Sequence, residues 1–229
     1  MPQDETSMYS HLRTPRAAAV AGIVFSILLV IIFWVFRSAV PADPLDPGTW
    51  LVSGSRSVAL ALNLIPFAGI AFLWFIGVLR DRLGAKEDRF FATVFLGSGL
   101  LFLGTLFMAA TIVGALLLIA PSVEVAGTGP APTFRFGRAT AYILFNVYAI
   151  KMAGVFMIST STVVIYTGIA PRWMAGIGYA LAALVLLGSF YLNWSIMVLP
   201  IWVLLISVHI LIENLRGWDS SPGRQEGPP

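Results

Sequence analysis

The chain alternates long apolar runs with short polar segments. Several uninterrupted runs of about 20 residues match the roughly 30 Å hydrocarbon core of a bilayer. They predict an all-α fold, a polytopic transmembrane helical bundle with six spans, at about 17–36, 57–79, 90–120, 140–168, 174–190 and 195–213. Because the runs are continuous and not alternating, a transmembrane β-barrel is excluded.

The polar segments predict the domain organisation. Residues 1–16 form an N-terminal tail, 17–216 a single transmembrane domain, and the Pro/Gly-rich residues 217–229 a disordered tail. The first apolar run is longer than a usual signal-peptide core, so we interpret it as a retained anchor. With both termini in the cytoplasm, nine Lys/Arg residues lie inside and four lie outside, namely Arg37, Arg56, Arg135 and Arg138. This bias predicts an N-in, C-in orientation.

Two long loops lie on the predicted outer side. Residues 37–56 contain three prolines and two glycines, and residues 121–138 are also rich in Pro and Gly, so both are predicted to be irregular. Trp50 is a candidate interface anchor. The aromatic and basic run at 134–138 either lines an entrance or belongs to an interfacial belt.

Composition narrows the possible partners. Of 229 residues, 58% are hydrophobic and 11% charged, with a net charge of +3. The basic residues lie beside spans, where topology and anionic lipid explain them, so the expected partner is the lipid bilayer and not nucleic acid. There is no cysteine and there are only two histidines, so we predict no metal site and no cofactor.

The fourth span, TAYILFNVYAIKMAGVFMISTSTVVIYTG, contains a lysine well inside it. At 100° per residue, five polar side chains fall within roughly a 100° arc of Lys151. They are Thr140, Tyr148, Ser159, Thr162 and Tyr166. An ionised lysine at this depth costs on the order of 3 kcal/mol on insertion scales, so this face is predicted to contact protein or water. Lys151 either binds a solute, ion or lipid headgroup, or makes a structural hydrogen bond, or is a neutral amine.

Two other spans contain polar candidates. Asn63 lies near Pro66 and either compensates for its missing backbone donor or approaches Lys151. His209 shares a face of the sixth span with Trp202, Glu213 and Arg216, as a packing group or a proton relay. By helical rise, Lys151 and His209 lie roughly 16 Å and 21 Å from the outer ends of their spans, which predicts similar depths.

Small residues predict where helices approach closely. Ala18, Gly22 and Ser26 recur every fourth residue in the first span. Gly97 and Gly104 share one face of the third span with Thr93, Met108 and Thr111. Both faces are candidate packing surfaces.

The segment STSTVVIYTGIAPRW, residues 159–173, resembles a pattern of small uncharacterised bacterial membrane proteins. In them a Ser/Thr-containing span leads through a Thr-Gly turn into Pro-Arg-Trp and another apolar helix. The resemblance covers about two spans. It implies a location in the bacterial inner membrane and no particular activity.

Three functions are compatible with these patterns. The first is binding or conducting a small solute or lipid through a polar seam between spans four and six. The second is a structural or accessory role, in a complex with other membrane subunits or as a homo-oligomer. An enzyme is less favoured, because only Glu213 and His209 could supply catalytic groups within or beside the spans. A Schiff base on Lys151 would lack an acidic counter-ion.

Overall fold

The computed structural model describes residues 4–40, 50–83, 89–125, 132–188 and 195–219, and these residues are almost entirely helical, with no strand among them. The α-helices are α1 (Asp4–Ala39), α2 (Trp50–Ser53), α3 (Ser55–Leu83), α4 (Arg89–Val125), α5 (Pro132–Ile143), α6 (Ile150–Thr167), α7 (Arg172–Gly188) and α8 (Val198–Asp219). A π-helical turn, Leu144–Ala149, joins α5 to α6, and a 3₁₀ turn, Ser195–Met197, precedes α8.

Five helical segments are long and apolar enough to cross a membrane. They are Ala17–Ala39, Ser55–Arg80, Phe91–Ile119, Pro132–Thr167 and Ser195–Arg216. The all-α, multi-pass prediction is therefore confirmed. The predicted fifth span corresponds to α7, an apolar helix of 17 residues. At 1.5 Å per residue it is about 26 Å long, slightly shorter than the roughly 30 Å hydrocarbon core.

The predicted loops differ from the structure at their ends. The irregular segment predicted for 121–138 is wrong at both ends, because α4 continues to Val125 and α5 begins at Pro132. Proline is well tolerated in the first turn of a helix, where its missing N–H has no partner to lose. In the other loop, α1 continues to Ala39 and Trp50–Ser53 is helical, while residues 41–49 lie outside the described residues.

The C-terminal helix is also longer than expected. We predicted a disordered tail from Gly217, but α8 continues to Asp219, so residues 217–219 are helical. Residues 220–229 lie outside the described part of the chain.

Two groups of helices meet in a common core. In the first group α1 packs against α3 and α8, and in the second α6 packs against α7 and α4. Phenylalanines from four helices join the groups: Phe72 of α3 lies 4.4 Å from Phe25 of α1, 5.6 Å from Phe102 of α4 and 4.9 Å from Phe156 of α6, between ring centroids. Since lipid is as apolar as these side chains, close packing and not exclusion of water stabilises such a contact.

The turn between α6 and α7 follows the local sequence. Gly168 adopts a left-handed conformation, with φ of 65°, and its N–H donates to the carbonyl of Val164 at 3.0 Å. Glycine adopts this conformation without the steric cost that a Cβ would add, so it ends α6. Pro171 precedes α7, and its carbonyl accepts a hydrogen bond from the N–H of Met174 at 2.9 Å. The helix therefore stops and restarts at the predicted turn.

Candidate functional site

Lys151 lies directly after the π-helical turn, in the first turn of α6. A π turn closes i→i+5 hydrogen bonds and so contains one residue more than an α turn. Residues on the two sides of Leu144–Ala149 are therefore rotated by about 100° relative to a continuous α-helix. The angle predicted between Thr140 and Lys151 therefore does not apply as it stands, and the hydroxyl of Thr140 donates to the carbonyl of Phe136 within α5.

The amine of Lys151 hydrogen-bonds the main-chain carbonyl of Leu186 in α7. Leu186 lies in the last turn of α7, where carbonyls have no N–H partner within the helix. By helical rise this carbonyl lies about 21 Å from the start of α7, at hydrocarbon depth. An unsatisfied carbonyl there is costly, and a cation near a helix C-terminus also interacts favourably with the helix dipole. Lys151 therefore caps α7.

Further contacts hold α6 against α7 below this cap. At Gly154, a Cβ would lie 2.7 Å from Cγ of Leu186. At Gly178, it would lie 2.1 Å from Oγ of Ser161 and 2.6 Å from Cζ2 of Trp202, so α6, α7 and α8 all meet there. The hydroxyls of Thr162 and Tyr179 lie 2.7 Å apart and form a hydrogen bond between the two helices. Lys151 and Thr162 of α6 thus both bond to α7.

The remaining hydroxyls of α6 are satisfied within the helix. Ser159, Thr160 and Ser161 are buried, and each donates to the carbonyl four residues earlier, at 3.1, 2.8 and 2.7 Å. This local bonding is a common way for Ser and Thr to lie in a helix without an external partner. These three hydroxyl donors therefore already have acceptors and do not require a ligand.

Two tyrosines of the predicted face point away from the protein. Tyr148 is 54% exposed and Tyr166 is 76% exposed. We predicted that this whole face contacts protein or water, but α7 covers only part of it. A tyrosine near a span end can place its ring in lipid and its hydroxyl at the interface, which suits Tyr166 beside the end of α6.

The side chain of Asn63 also forms its hydrogen bond within its own helix. Its amide nitrogen donates to the carbonyl of Ala59 at 2.8 Å, on the exposed side of α3. Asn63 thus bonds neither the carbonyl freed by Pro66, which is that of Leu62, nor Lys151. α3 continues through Pro66 without interruption.

His209 lies beside Glu213, with its Nε2 3.3 Å from Oε1, although the geometry is not that of a hydrogen bond. By helical rise, His209 is about 10 Å from the C-terminal end of its helical segment at Arg216, whereas Lys151 is about 24 Å from the C-terminal end of its own at Thr167. The similar depths that we predicted depended on a fourth span starting at Thr140. Because that helical segment starts at Pro132, the two residues lie at different levels.

The candidate packing glycines differ from one another. At Gly22, a Cβ would lie 2.0 Å from Oγ of Ser207 and 2.9 Å from a ring carbon of Phe75, so α1, α3 and α8 approach closely. At Gly97 and Gly104, no atom of the described residues lies within 4 Å of that position, apart from the chain neighbours and the nearby backbone of α4 itself. Among the described residues, the small-residue face of α4 is therefore not a packing face.

No protein-family model, curated protein or solved structure matches the chain. Within the described ranges, no group of three or more His, Asp or Glu side chains could hold a metal ion.

We expect the hydrogen bond between Thr162 and Tyr179 to contribute modestly to stability. Removing one partner by Tyr179→Phe should lower the free energy of unfolding by about 0.6 kcal/mol, the average for such bonds between membrane helices. A double-mutant cycle with Thr162→Val, measured by SDS unfolding in mixed micelles, isolates the interaction. Additive effects of the two substitutions would show that the hydroxyls are not coupled.

Proposed function

We propose that this protein is a structural subunit of a membrane assembly, and that α4 binds the α4 helix of a second copy. The observation that supports this is the uncovered α4 face, formed by Gly97, Leu101, Gly104, Met108 and Thr111. These residues are spaced 4, 3, 4 and 3 apart and so form one stripe along the helix. Glycines permit close helix approach, yet these two meet no other helix among the described residues.

The burial of the spans supports the same site. Only 28% of the most apolar window of α4 is buried, compared with 39–44% in the other four spans. A two-fold axis would place the same face of two copies in contact, so the flat surface at Gly97 and Gly104 would meet its own copy. Self-association is the simplest arrangement in which both glycines acquire a neighbour.

We expect the double variant Gly97→Leu, Gly104→Leu to lose this association. Leucine side chains would separate the two helices, and overpacking of about 1–3 kcal/mol corresponds to a weakening of roughly 5- to 150-fold. Energy transfer between labelled copies in lipid vesicles measures the dissociation constant. Gly77→Leu is the matched control, since this exposed glycine on α3 also has no atom within 4 Å of a Cβ.

The outcomes separate the possible partners. A monomeric wild-type protein, or an unchanged dissociation constant in the double variant, would contradict self-association through α4. Loss of a different copurifying membrane protein from the double variant alone would assign the face to that protein.

The location and orientation belong to the same proposal. The excess of Lys and Arg on one side supports N-in, C-in, with α7 as a sixth span. The resemblance of residues 159–173 to bacterial proteins supports the inner membrane. Binding of a solute or lipid between α6 and α8 stays a prediction, and the bond from Lys151 to α7 gives that lysine a structural role instead.

A further inference from the structure

A second polar site lies at the opposite end of the bundle from the α6–α7 turn. Here Trp50 of α2 and Phe134 of α5 form a small apolar cluster with Val58 and Leu116. The end of α1 packs against the cluster through Phe36 and Ala39. Five helices therefore meet around Trp50.

The cluster encloses a cation. Arg138 of α5 is only 7% exposed, and its Cζ lies 5.9 Å from the ring centroid of Trp50, within the range of a cation–π interaction. Arginine is almost never this buried unless its charge is balanced by partners. Arg138 has other contacts within the chain, but its five N–H donors can serve more than one acceptor.

The same cluster contains a donor that lacks an acceptor. Trp50 is 3% exposed, and its Nε1 is buried without a hydrogen-bond partner. Buried tryptophan N–H groups usually have one, and an unmet donor costs about 1–3 kcal/mol. A single acceptor placed at this indole would satisfy the N–H and interact favourably with the neighbouring guanidinium.

The surroundings indicate the depth of the site. Trp34 and Phe136, 64% and 73% exposed, lie at the same end of the bundle, as aromatic residues at a membrane interface do. The site is thus at the level of lipid headgroups. Arg37, Arg56 and Arg135 belong to the same end and add positive charge.

We propose that Trp50 and Arg138 bind a phosphate oxyanion. The guanidinium plane matches the geometry of two phosphate oxygens, and the indole N–H donates to a third or shares one of them. The phosphate of a phospholipid headgroup and free inorganic phosphate share this chemistry. Trp50 is therefore a ligand-binding residue and not only an interface anchor.

Indole NMR tests this directly. Full-length protein labelled with ¹⁵N-tryptophan, in a phosphate-free maltoside detergent, is titrated separately with short-chain phosphatidylglycerol and with inorganic phosphate. The Trp50 resonance, assigned as the one missing from Trp50→Phe, should move downfield on binding, while that of Trp34 should not move. A response to the lipid alone identifies a headgroup, and a response to inorganic phosphate identifies a free anion.

Variants test the two contacts separately. Trp50→Phe keeps an aromatic side chain but removes the indole N–H, and should weaken binding roughly tenfold, measured by native mass spectrometry of the lipid-bound protein. Arg138→Lys keeps the charge but loses the planar fork, and should also weaken binding. Trp34→Phe is the control and should bind as the wild type does.

Two results would overturn the proposal. The first is a failure to bind: the Trp50 resonance responds to neither probe, or Trp50→Phe keeps both its lipid affinity and its unfolding profile. The second is that a carboxylate of the chain occupies the site, and the candidates are Asp43 and Asp46, which precede Trp50 in the sequence. If Asp43→Asn with Asp46→Asn shifts the Trp50 resonance of the ligand-free protein upfield, a carboxylate of the chain is the acceptor.

Discussion

Lys151→Met is expected to lower the free energy of unfolding by about 1–3 kcal/mol, the cost of leaving a buried acceptor without its donor. Methionine preserves the length and apolar character of the side chain but cannot donate to the carbonyl of Leu186. Relief from holding an amine in the membrane opposes this loss. That relief is small, because in the folded protein the amine is already satisfied by its hydrogen bond to the carbonyl of Leu186.

SDS unfolding in mixed micelles gives the size of the effect, and hydrogen exchange gives its location. Faster exchange should be confined to the last turn of α7, residues 185–188. Arg172→Met is the control, because Arg172 is exposed at the other end of α7 and should change stability by less than about 0.5 kcal/mol. Unchanged stability together with loss of a bound solute would contradict the capping role and favour a ligand seam.

Gly178→Ala is the second substitution with a large expected effect, a loss of about 1–3 kcal/mol from overpacking. The new methyl carbon would lie 2.1 Å from Oγ of Ser161 and 2.6 Å from Cζ2 of Trp202. Ser161 can rotate, at the expense of its 2.7 Å bond to the carbonyl of Met157. Trp202 is large and fully buried, so α8 itself must move.

Gly176→Ala provides a control two residues away on the same helix. No atom lies within 4 Å of a Cβ at Gly176, and alanine is the better helix former, so stability should not fall. The two alanine variants are compared by the same SDS titration. Equal stability of both would show that the contact of α7 with α6 and α8 is looser than the structure describes.

The sequence was sufficient for the spans because the membrane imposes their length and apolarity. Runs of about 20 apolar residues have few alternatives in a bilayer. The end of α6 could also be predicted, since glycine and proline, here Gly168 and Pro171, interrupt helices through their own backbone properties. Local stereochemistry was a good guide at this turn, whereas at 121–138 the same kind of Pro/Gly argument predicted an irregular loop where α4 ends later and α5 begins earlier.

The candidate site required information that the sequence pattern does not contain. The partner of Lys151 is a main-chain carbonyl, which has no signature in the residue type of Leu186. A constant 100° per residue also fails across the π turn at 144–149, so faces assigned through it are rotated. Trp50 was predicted to be an interface anchor, and Arg138 to belong to a run that either lines an entrance or forms an interfacial belt. Only the fold brings the two side chains together.

Glycine patterns were ambiguous for a related reason. The stripe containing Gly22 and the one containing Gly97 look alike in the sequence, but only the first is covered by other helices of the chain. Spacing identifies a smooth helix face and does not identify its neighbour. Gly178 lies in a similar stripe with Ala175 and Ala182 and was missed, although it meets two helices.

The bond from Lys151 to α7 also constrains biogenesis. The lysine and its carbonyl partner are separated by 35 residues, so when α6 has just been synthesised the acceptor does not yet exist. Releasing α6 alone into lipid would expose the amine, at about 2.5–3.5 kcal/mol on translocon scales. Retention of α6 beside the insertion machinery until α7 emerges avoids this cost, and the two helices then enter the bilayer together as a hairpin.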